Sequence, residues 1–476
     1  MNTLNSYWKN LSTNLHLWLF QCFLISFPLS VRKVLAYYSI NDQFNEYSGI
    51  YLYLSDVFLF FTLLAWLVSI LGNKSRDLSI VTKHPLTRKF LFAFAILALW
   101  SLLSISWATN IPVATFRSIK LVEWFCLVIY LLANVPRGTF AKQALQTIVL
   151  LGSIESIIGI SQFIFQHSLE LSWLRESVIA TDIPGVAKII FNGKKYIRAY
   201  GTFPHPNVFA GFLSLSGILS FIGLSKESFN FQFNQNKWLK LAIILQIVAL
   251  GLTFSKSAIL GLLMGLLILF YTKLTPEKES SFMLTRIVPR GTISFFKNLA
   301  PFKKVLLLSV AMLALLTLSK FDLTASIIQP IKERLIYINV SRGTILNNPI
   351  FGSGAGQFVL NMAKYSQKTL LVWEFQPVHN VFLLIWSELG LIGLISFFLV
   401  GLASFKTIFR ENNIVPPAYR TGRRGTIFTL LLKLAFISQI TILLFDHYHW
   451  DIQQGQILLW LFITLPFLLQ KETTEK

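Results

Sequence analysis

Long apolar runs separated by short polar or basic joints recur along the whole chain. Twelve of them lie near 13–31, 51–71, 90–106, 118–134, 143–165, 207–225, 239–254, 257–272, 305–320, 380–405, 426–445 and 454–470. Most approach the roughly 20 residues that carry a helix across a bilayer. Solid apolar runs of this kind predict helices, because the strands of a membrane barrel alternate in polarity. The expected fold is an all-α polytopic membrane protein of about twelve transmembrane helices, one domain over 1–476. The runs 239–254 and 257–272 meet at Ser255-Lys256, which predicts a helical hairpin there.

Composition sharpens this picture. Of the 476 residues, 54% are hydrophobic and 13% charged, about half the charged share of a soluble protein. Mean hydropathy is +0.61. A soluble enzyme, a disordered chain and a disulfide-stapled secreted domain are excluded. The net charge of +21 would suggest nucleic acid in a soluble protein. In a membrane protein it marks the Lys/Arg excess of cytoplasmic loops. That excess is clearest at 72–89, 273–304 and 406–425, which sets both termini inside and makes 166–206 and 321–379 long outer loops. No nucleic-acid partner is expected. Cys22 and Cys126 both lie in apolar runs and carry no zinc-ligand spacing. The first run lacks a small-residue cleavage site and reads as a retained helix.

Within the second outer loop, Pro330 opens a helix on which Ile331, Leu335, Ile338, Ile345 and Leu346 recur at helical spacing. Asn347-Asn348-Pro349 ends it. An amphipathic helix on the outer membrane surface is expected. Asp56, Glu123, Glu155 and Glu388 are acids inside spans. Each costs roughly 3 kcal/mol at mid-membrane, so each should face the bundle interior, either as a polar contact between helices or in a site.

Polar chemistry collects in three segments. The first is Arg198-Ala-Tyr-Gly-Thr-Phe-Pro-His-Pro-Asn207, where two prolines prevent helix on either side of His205. The second is Thr253-Phe-Ser-Lys-Ser257, where Lys256 stands beside the free N–H groups of a new helix, a natural anion site. The third runs from Arg334 to Glu388. It holds Asn348-Pro-Ile-Phe-Gly-Ser-Gly-Ala-Gly356, Gln376-Pro-Val-His-Asn380 and Glu388-Leu-Gly-Leu-Ile-Gly393. The three glycines at 352, 354 and 356 follow no strand, so a flexible connection outweighs a phosphate loop. His379 alone reads equally as a structural histidine. Asp446-His-Tyr-His-Trp-Asp451 could suggest metal, yet His447 and His449 point apart on a helix, and a hydrogen-bonded cap is the better reading. No metal and no cofactor are expected.

Together, Arg198, Lys256 and Arg334 are cations that could hold a diphosphate, and His379 could take a proton from a hydroxyl. At these segments the sequence resembles the O-antigen ligase-like superfamily, which includes O-antigen ligases, O-antigen polymerases and bacterial O-linked oligosaccharyltransferases. The Arg198–Asn207 segment, Thr253-Phe-Ser-Lys-Ser257, Arg334 ahead of Asn-Pro349-Ile-Phe-Gly-Ser-Gly354, His379-Asn380, Glu388-Leu-Gly, and Asp446-His-Tyr with Gln454-Gly-Gln456 carry the resemblance. It implies a core region over 198–400, a catalytic outer loop over 321–379 and a GT-C-like bundle. It further implies metal-independent, inverting transfer of a glycan from a polyprenyl (undecaprenyl) diphosphate to an acceptor hydroxyl at the outer face of the inner membrane. His379 takes the role of base, and Arg334 and Lys256 contact the diphosphate with Arg198. His205, Asn207, Asn380 and Glu388 support them. Lys256 stands where relatives carry Arg, keeping the charge without the planar fork. Acceptors in this group are glycans, lipids or protein hydroxyls. A transporter of lipid-linked glycans is the rival of another class, although no matching halves are visible.

Overall fold

The computed structural model describes residues 2–72, 81, 83–134, 139–224, 235–274, 329–409 and 423–468. Helices dominate. They are α1 (Asn2–Ser26), α2 (Leu54–Leu71), α3 (Pro85–Leu103), α4 (Ile111–Asn134), α5 (Thr139–Phe165), α6 (Pro206–Leu224), α7 (Gln235–Leu252) and α8 (Lys256–Leu274). After these come α9 (Gln329–Asn347), a single turn α10 (Met362–Tyr365), α11 (Val381–Phe409), α12 (Arg423–Phe445), the short α13 (Tyr448–Asp451) and α14 (Gln453–Leu468). Each expected span coincides with a helix except 305–320, which lies outside the described residues, as does the basic loop 273–304 apart from its first two residues.

Among the described residues, five helical segments are both long and apolar enough to cross a membrane: Leu54–Leu71, Pro85–Trp107, Gln143–Phe165, Pro206–Gly223 and Val381–Phe409. Four shorter apolar helices, Asn14–Ser26, Lys256–Leu267, Leu430–Phe445 and Gln453–Leu468, stand beside them. This is a polytopic membrane architecture, with five qualifying segments among the described residues against twelve expected along the whole chain.

The fold is not purely helical. β1 (Arg32–Tyr37) pairs antiparallel with β2 (Gly49–Tyr53), and β3 (Lys188–Phe191) with β4 (Lys194–Ile197). The second hairpin turns at Asn192-Gly193, both at positive φ, the backbone that a two-residue hairpin turn needs. Both hairpins belong to segments expected as loops. β-branched and aromatic residues there pair locally instead of waiting for helical partners.

The expected hairpin of α7 and α8 does not form. α7 lies against α5 and α6, whereas α8 runs along α12. The reason is a small-residue stripe on α8. A Cβ on Gly261 would sit 2.6 Å from the Ser438 carbonyl oxygen, and one on Gly265 2.4 Å from Leu434 Cδ1. Glycines four apart let two backbones approach closely in a membrane.

The acids of the spans face inward. Lys120 Nζ stands 2.5 Å from Asp56 and 2.9 Å from Glu123, and Gln453 also donates to Asp56. Glu155 accepts from the Thr202 backbone N–H and hydroxyl, both at 2.8 Å. Trp450 Nε1 donates to Glu388 at 3.0 Å. Paired and hydrogen-bonded, these groups avoid the penalty of a bare buried charge. α9 ends at Asn347, as expected. Tyr337, Val340 and Thr344 turn into the protein, while Ile331, Leu335, Ile338 and Leu346 stay exposed as an apolar stripe, the pattern of a helix lying on a membrane. Cys22 and Cys126 are both free thiols.

Candidate active site

The three polar segments meet at one end of the bundle. Arg198 is held first. Its Nε donates to the Thr253 carbonyl at 2.5 Å and one terminal nitrogen donates to Asn207 Oδ1 at 2.6 Å. Asn207 Nδ2 then donates to Asp446 Oδ2 at 2.7 Å, and Asp446 Oδ1 accepts from the His447 backbone N–H at 3.0 Å. One hydrogen-bonded chain therefore links the first segment, the α7–α8 joint and the close of the chain. Below it, Gln162 accepts from the N–H groups of Tyr200 and Gly201 and donates to the Gly201 carbonyl. With Glu155 it fixes the turn that precedes α6. His205 caps that helix, its Nδ1 accepting from Asn207 N–H at 3.1 Å.

Lys256 is the first residue of α8 and is exposed. The charges of Arg334 and Arg198 both act on it. The three cations thus share one neighbourhood, although they come from the turn before α6, the start of α8 and the first turns of α9.

His379 stands next to them. Asn380 positions it: Oδ1 accepts from Leu383 N–H at 2.9 Å and caps α11, and Nδ2 donates to the Leu444 carbonyl at 3.0 Å. This ties the start of α11 to the end of α12, so His379 faces the Asp446–Asp451 segment. Tyr337, one turn beyond Arg334 on α9, stacks parallel on the His379 ring at 5.6 Å. His447 meets it edge-on at 4.8 Å. Burial holds the His379 imidazole down at about 3, helped by the charges of His447 and Arg334 and opposed by Asp446. His379 is neutral at pH 7, and its buried Nδ1 has no hydrogen-bond partner among the described residues.

His447 differs. Its Nδ1 lies 2.8 Å from Asp451 Oδ2. Burial alone would lower its pKa, but Asp451 and Asp446 outweigh burial and raise it. Burial also lowers His205 to about 3, with Arg198 and His447 acting in the same direction. Arg198 is pulled down by burial to about 10 and remains cationic at neutral pH. His449 points away and meets Gln439 at 3.0 Å, so the two histidines of the closing segment do diverge.

His379, Asp446 and His447 each present a ligand atom within 4.8 Å of the others, a spacing that could hold a metal ion. Arg334 acts on both histidines, Asp446 already takes the Asn207 amide, and His447 Nδ1 is committed to Asp451. A neutral imidazole, a carboxylate and a carboxylate-paired imidazole therefore stand beside the three cations.

One expectation changes. The glycines at 352–356 are neither a phosphate loop nor a flexible connection. Their turn braces a break in α11 at Gly390, where φ is +66°. Ser353 N–H donates to the Ser387 carbonyl at 2.9 Å, Gly354 N–H to Glu388 at 2.8 Å and Leu391 N–H to Pro349 at 3.0 Å. Glu388, nine residues beyond His379 in the chain, lines a cavity with Arg117, Trp450 and Asp451. Sequence reasoning missed Tyr47 and Arg117. Tyr47 meets the His447 ring edge-on at 5.6 Å. Arg117 donates to the Asp451 carbonyl at 2.6 Å and to the Tyr47 carbonyl at 3.1 Å. A cation at the polar end of α4 was a visible signal for Arg117; nothing marked Tyr47.

Residues 241–398 match a family model, O-Antigen ligase. This region carries the O-antigen ligase signature. It takes in Lys256, Arg334, the glycine turn, His379, Asn380 and Glu388. Arg198, His205, Asn207 and the Asp446–Asp451 segment lie outside the match and are joined to it by the hydrogen bonds above. No curated protein matches the chain. The match supports the O-antigen ligase-like superfamily and, at the coarse level, an enzyme of ligase or polymerase type in a membrane.

Proposed function

We propose that the protein is a membrane glycosyltransferase that moves a glycan from a polyprenyl diphosphate to an acceptor hydroxyl, at the outer face of a cytoplasmic membrane with both termini inside. One observation carries this reading: three cations from three separate elements share a neighbourhood with a partly buried, neutral histidine. Three cations suit a diphosphate, and a neutral imidazole suits a hydroxyl proton.

In this mechanism Arg198, Lys256 and Arg334 hold the diphosphate. The acceptor hydroxyl passes its proton to His379 as its oxygen forms a bond to the anomeric carbon. The bond from that carbon to the diphosphate oxygen breaks, and the electron pair leaves with polyprenyl diphosphate. Attack from the opposite side inverts the anomeric centre. Asp446 offsets the charge that develops on His379. Outer-face chemistry follows from the Lys/Arg pattern, and 198–400 acts as the core with 321–379 as its catalytic outer segment.

Purified protein given a polyprenyl-diphosphate glycan and an acceptor should release polyprenyl diphosphate and form one new glycosidic bond, with or without EDTA. Intact donor after prolonged incubation would overturn the reading. Activity lost in EDTA and restored by a divalent ion would overturn the metal-independent mechanism. Glycans from cells with and without the gene separate the acceptor classes: lost long chains mean polymerase, unattached chains ligase, and bare proteins O-oligosaccharyltransferase.

A further inference from the structure

A cavity of about 340 Å³ opens beside the glycine turn. Its walls include Trp107, just beyond α3, Asn348 and Phe351 from the glycine turn, and Asn361, Lys364 and Tyr365 at α10. Its volume falls within the range of small-molecule pockets.

The lining has a particular chemistry. Trp107 and Phe351 meet edge-to-face at 5.7 Å, and Lys364 Nζ lies 5.3 Å over the Tyr365 ring. Between these flat apolar faces stand two side-chain amides. A lipid tail would leave the amides without partners, which is costly. A pyranose ring offers both kinds of surface: C–H faces that lie on aromatic rings, and hydroxyls that both donate to and accept from amides.

The cavity is built firmly. The glycine turn that supplies Phe351 is pinned to the α11 break by Ser353 and Gly354. Tyr365 packs on α9, where a Cβ on Gly343 would meet its Cδ1 at 3.1 Å. Gly343 lies nine residues along α9 from Arg334, roughly 13 Å, a distance that a short oligosaccharide spans. We propose that this cavity is a sugar subsite, holding a pyranose ring of a glycan chain whose reacting end lies at the His379 cluster. The glycan can belong to the donor or to the acceptor, and this assignment rests on the glycosyl-transfer reading above.

The test uses the full-length protein in detergent. The probe is the free oligosaccharide obtained by mild acid treatment of the polyprenyl-linked glycans of the cells that make the protein. Saturation-transfer NMR should show it bound to the parent protein. Asn361→Ala and Trp107→Ala should weaken it about fivefold or more, as expected for a lost hydrogen bond or ring face. Trp107→Phe guards against misfolding, keeping a ring and losing the N–H, and should weaken it less than Trp107→Ala. In turnover, Asn361→Ala should raise KM with little change in kcat. A rise for donor assigns the donor's glycan, and a rise for acceptor the acceptor's. A parent protein that does not bind the oligosaccharide, or pocket variants that bind and turn over like the parent, would overturn the subsite. Absence of polyprenyl diphosphate release by the parent would overturn glycosyl transfer, while oligosaccharide binding sensitive to Asn361→Ala would still show a sugar site.

Discussion

The His379 ring stands edge-on to the His447 ring with centroids 4.8 Å apart, and the two imidazoles are held in opposite states. His379 is partly buried and neutral; His447 is paired with Asp451 and favours its proton. Neighbouring titratable groups driven apart in this way divide acid and base roles. His379→Ala should lower kcat by about 10²–10⁴-fold, the usual worth of a general base, with donor binding retained. Asp451→Asn should act through His447, lowering kcat by about tenfold while KM for donor stays near the parent value. Turnover by His379→Ala within about threefold of the parent would remove it as the base.

The same histidines set an acid limit on stability. Burial holds His205, His379 and His449 at about 3, against roughly 6.5 in an unfolded chain. Between those values the unfolded chain binds protons that the folded one refuses, so stability falls as pH drops from 6.5 toward 3. His447 has the opposite sign: its contribution is full below 6.5 and is lost as pH rises through its raised folded value. The contribution of His449 can be isolated: His449→Gln keeps a donor for Gln439 and removes the titrating ring. Its thermal midpoint in detergent, relative to that of the parent, should rise as pH falls from 7 to 4.5. A difference between the two that does not change with pH would contradict the neutral state of His449.

Gly390 should tolerate no side chain. Its φ is +66°, and a Cβ would sit 2.0 Å from the Ile350 carbonyl oxygen. Backbone strain of this kind costs on the order of 1–3 kcal/mol before any clash. Gly390→Ala should therefore lower the thermal midpoint strongly and reduce activity, because the brace that orders the glycine turn is lost. Gly401→Ala, later on the same helix where a Cβ meets nothing within 4 Å, is the control and should be near neutral. Equal midpoints for the two variants would show that the α11 break is not under steric constraint.

How much of this was legible in the sequence differs from element to element. Helix positions were, because solid apolar runs leave the backbone no partner but itself. α9 was legible to its last residue, since Asn348-Pro349 cannot continue a helix. The β3–β4 hairpin had a readable signal in Asn192-Gly193 that an all-helical reading passed over. The divergence of α7 and α8 was written in Gly261 and Gly265, but glycine spacing names no partner, and only the assembled bundle shows α12 there. The site divides the same way. His379 and the cations stood out as polar residues between apolar runs. The Arg198–Asn207–Asp446 chain joins residues up to 239 positions apart, and no local pattern encodes such a pairing. Tyr47 reaches His447 only because its segment folds over the bundle end.

Lys256 offers the sharpest test of the anion site. It opens α8, where unpaired backbone N–H groups and the positive end of the helix dipole already favour negative charge. Arg334 and Arg198 act on it as further positive charges. Like charges gathered at a helix start repel one another unless an anion offsets them. A snorkelling lysine at the membrane surface would gain nothing from that company. If the anion is the donor diphosphate, Lys256→Arg should keep most activity, because charge is retained. Lys256→Ala should weaken donor use by about 30-fold, since a charge-assisted contact is worth on the order of 2 kcal/mol. Lys256→Glu should be worse still, adding repulsion to the loss. Donor KM and kcat for the three purified variants decide the matter. An Ala variant as active as the Arg variant would take Lys256 out of the site and leave the diphosphate to the two arginines.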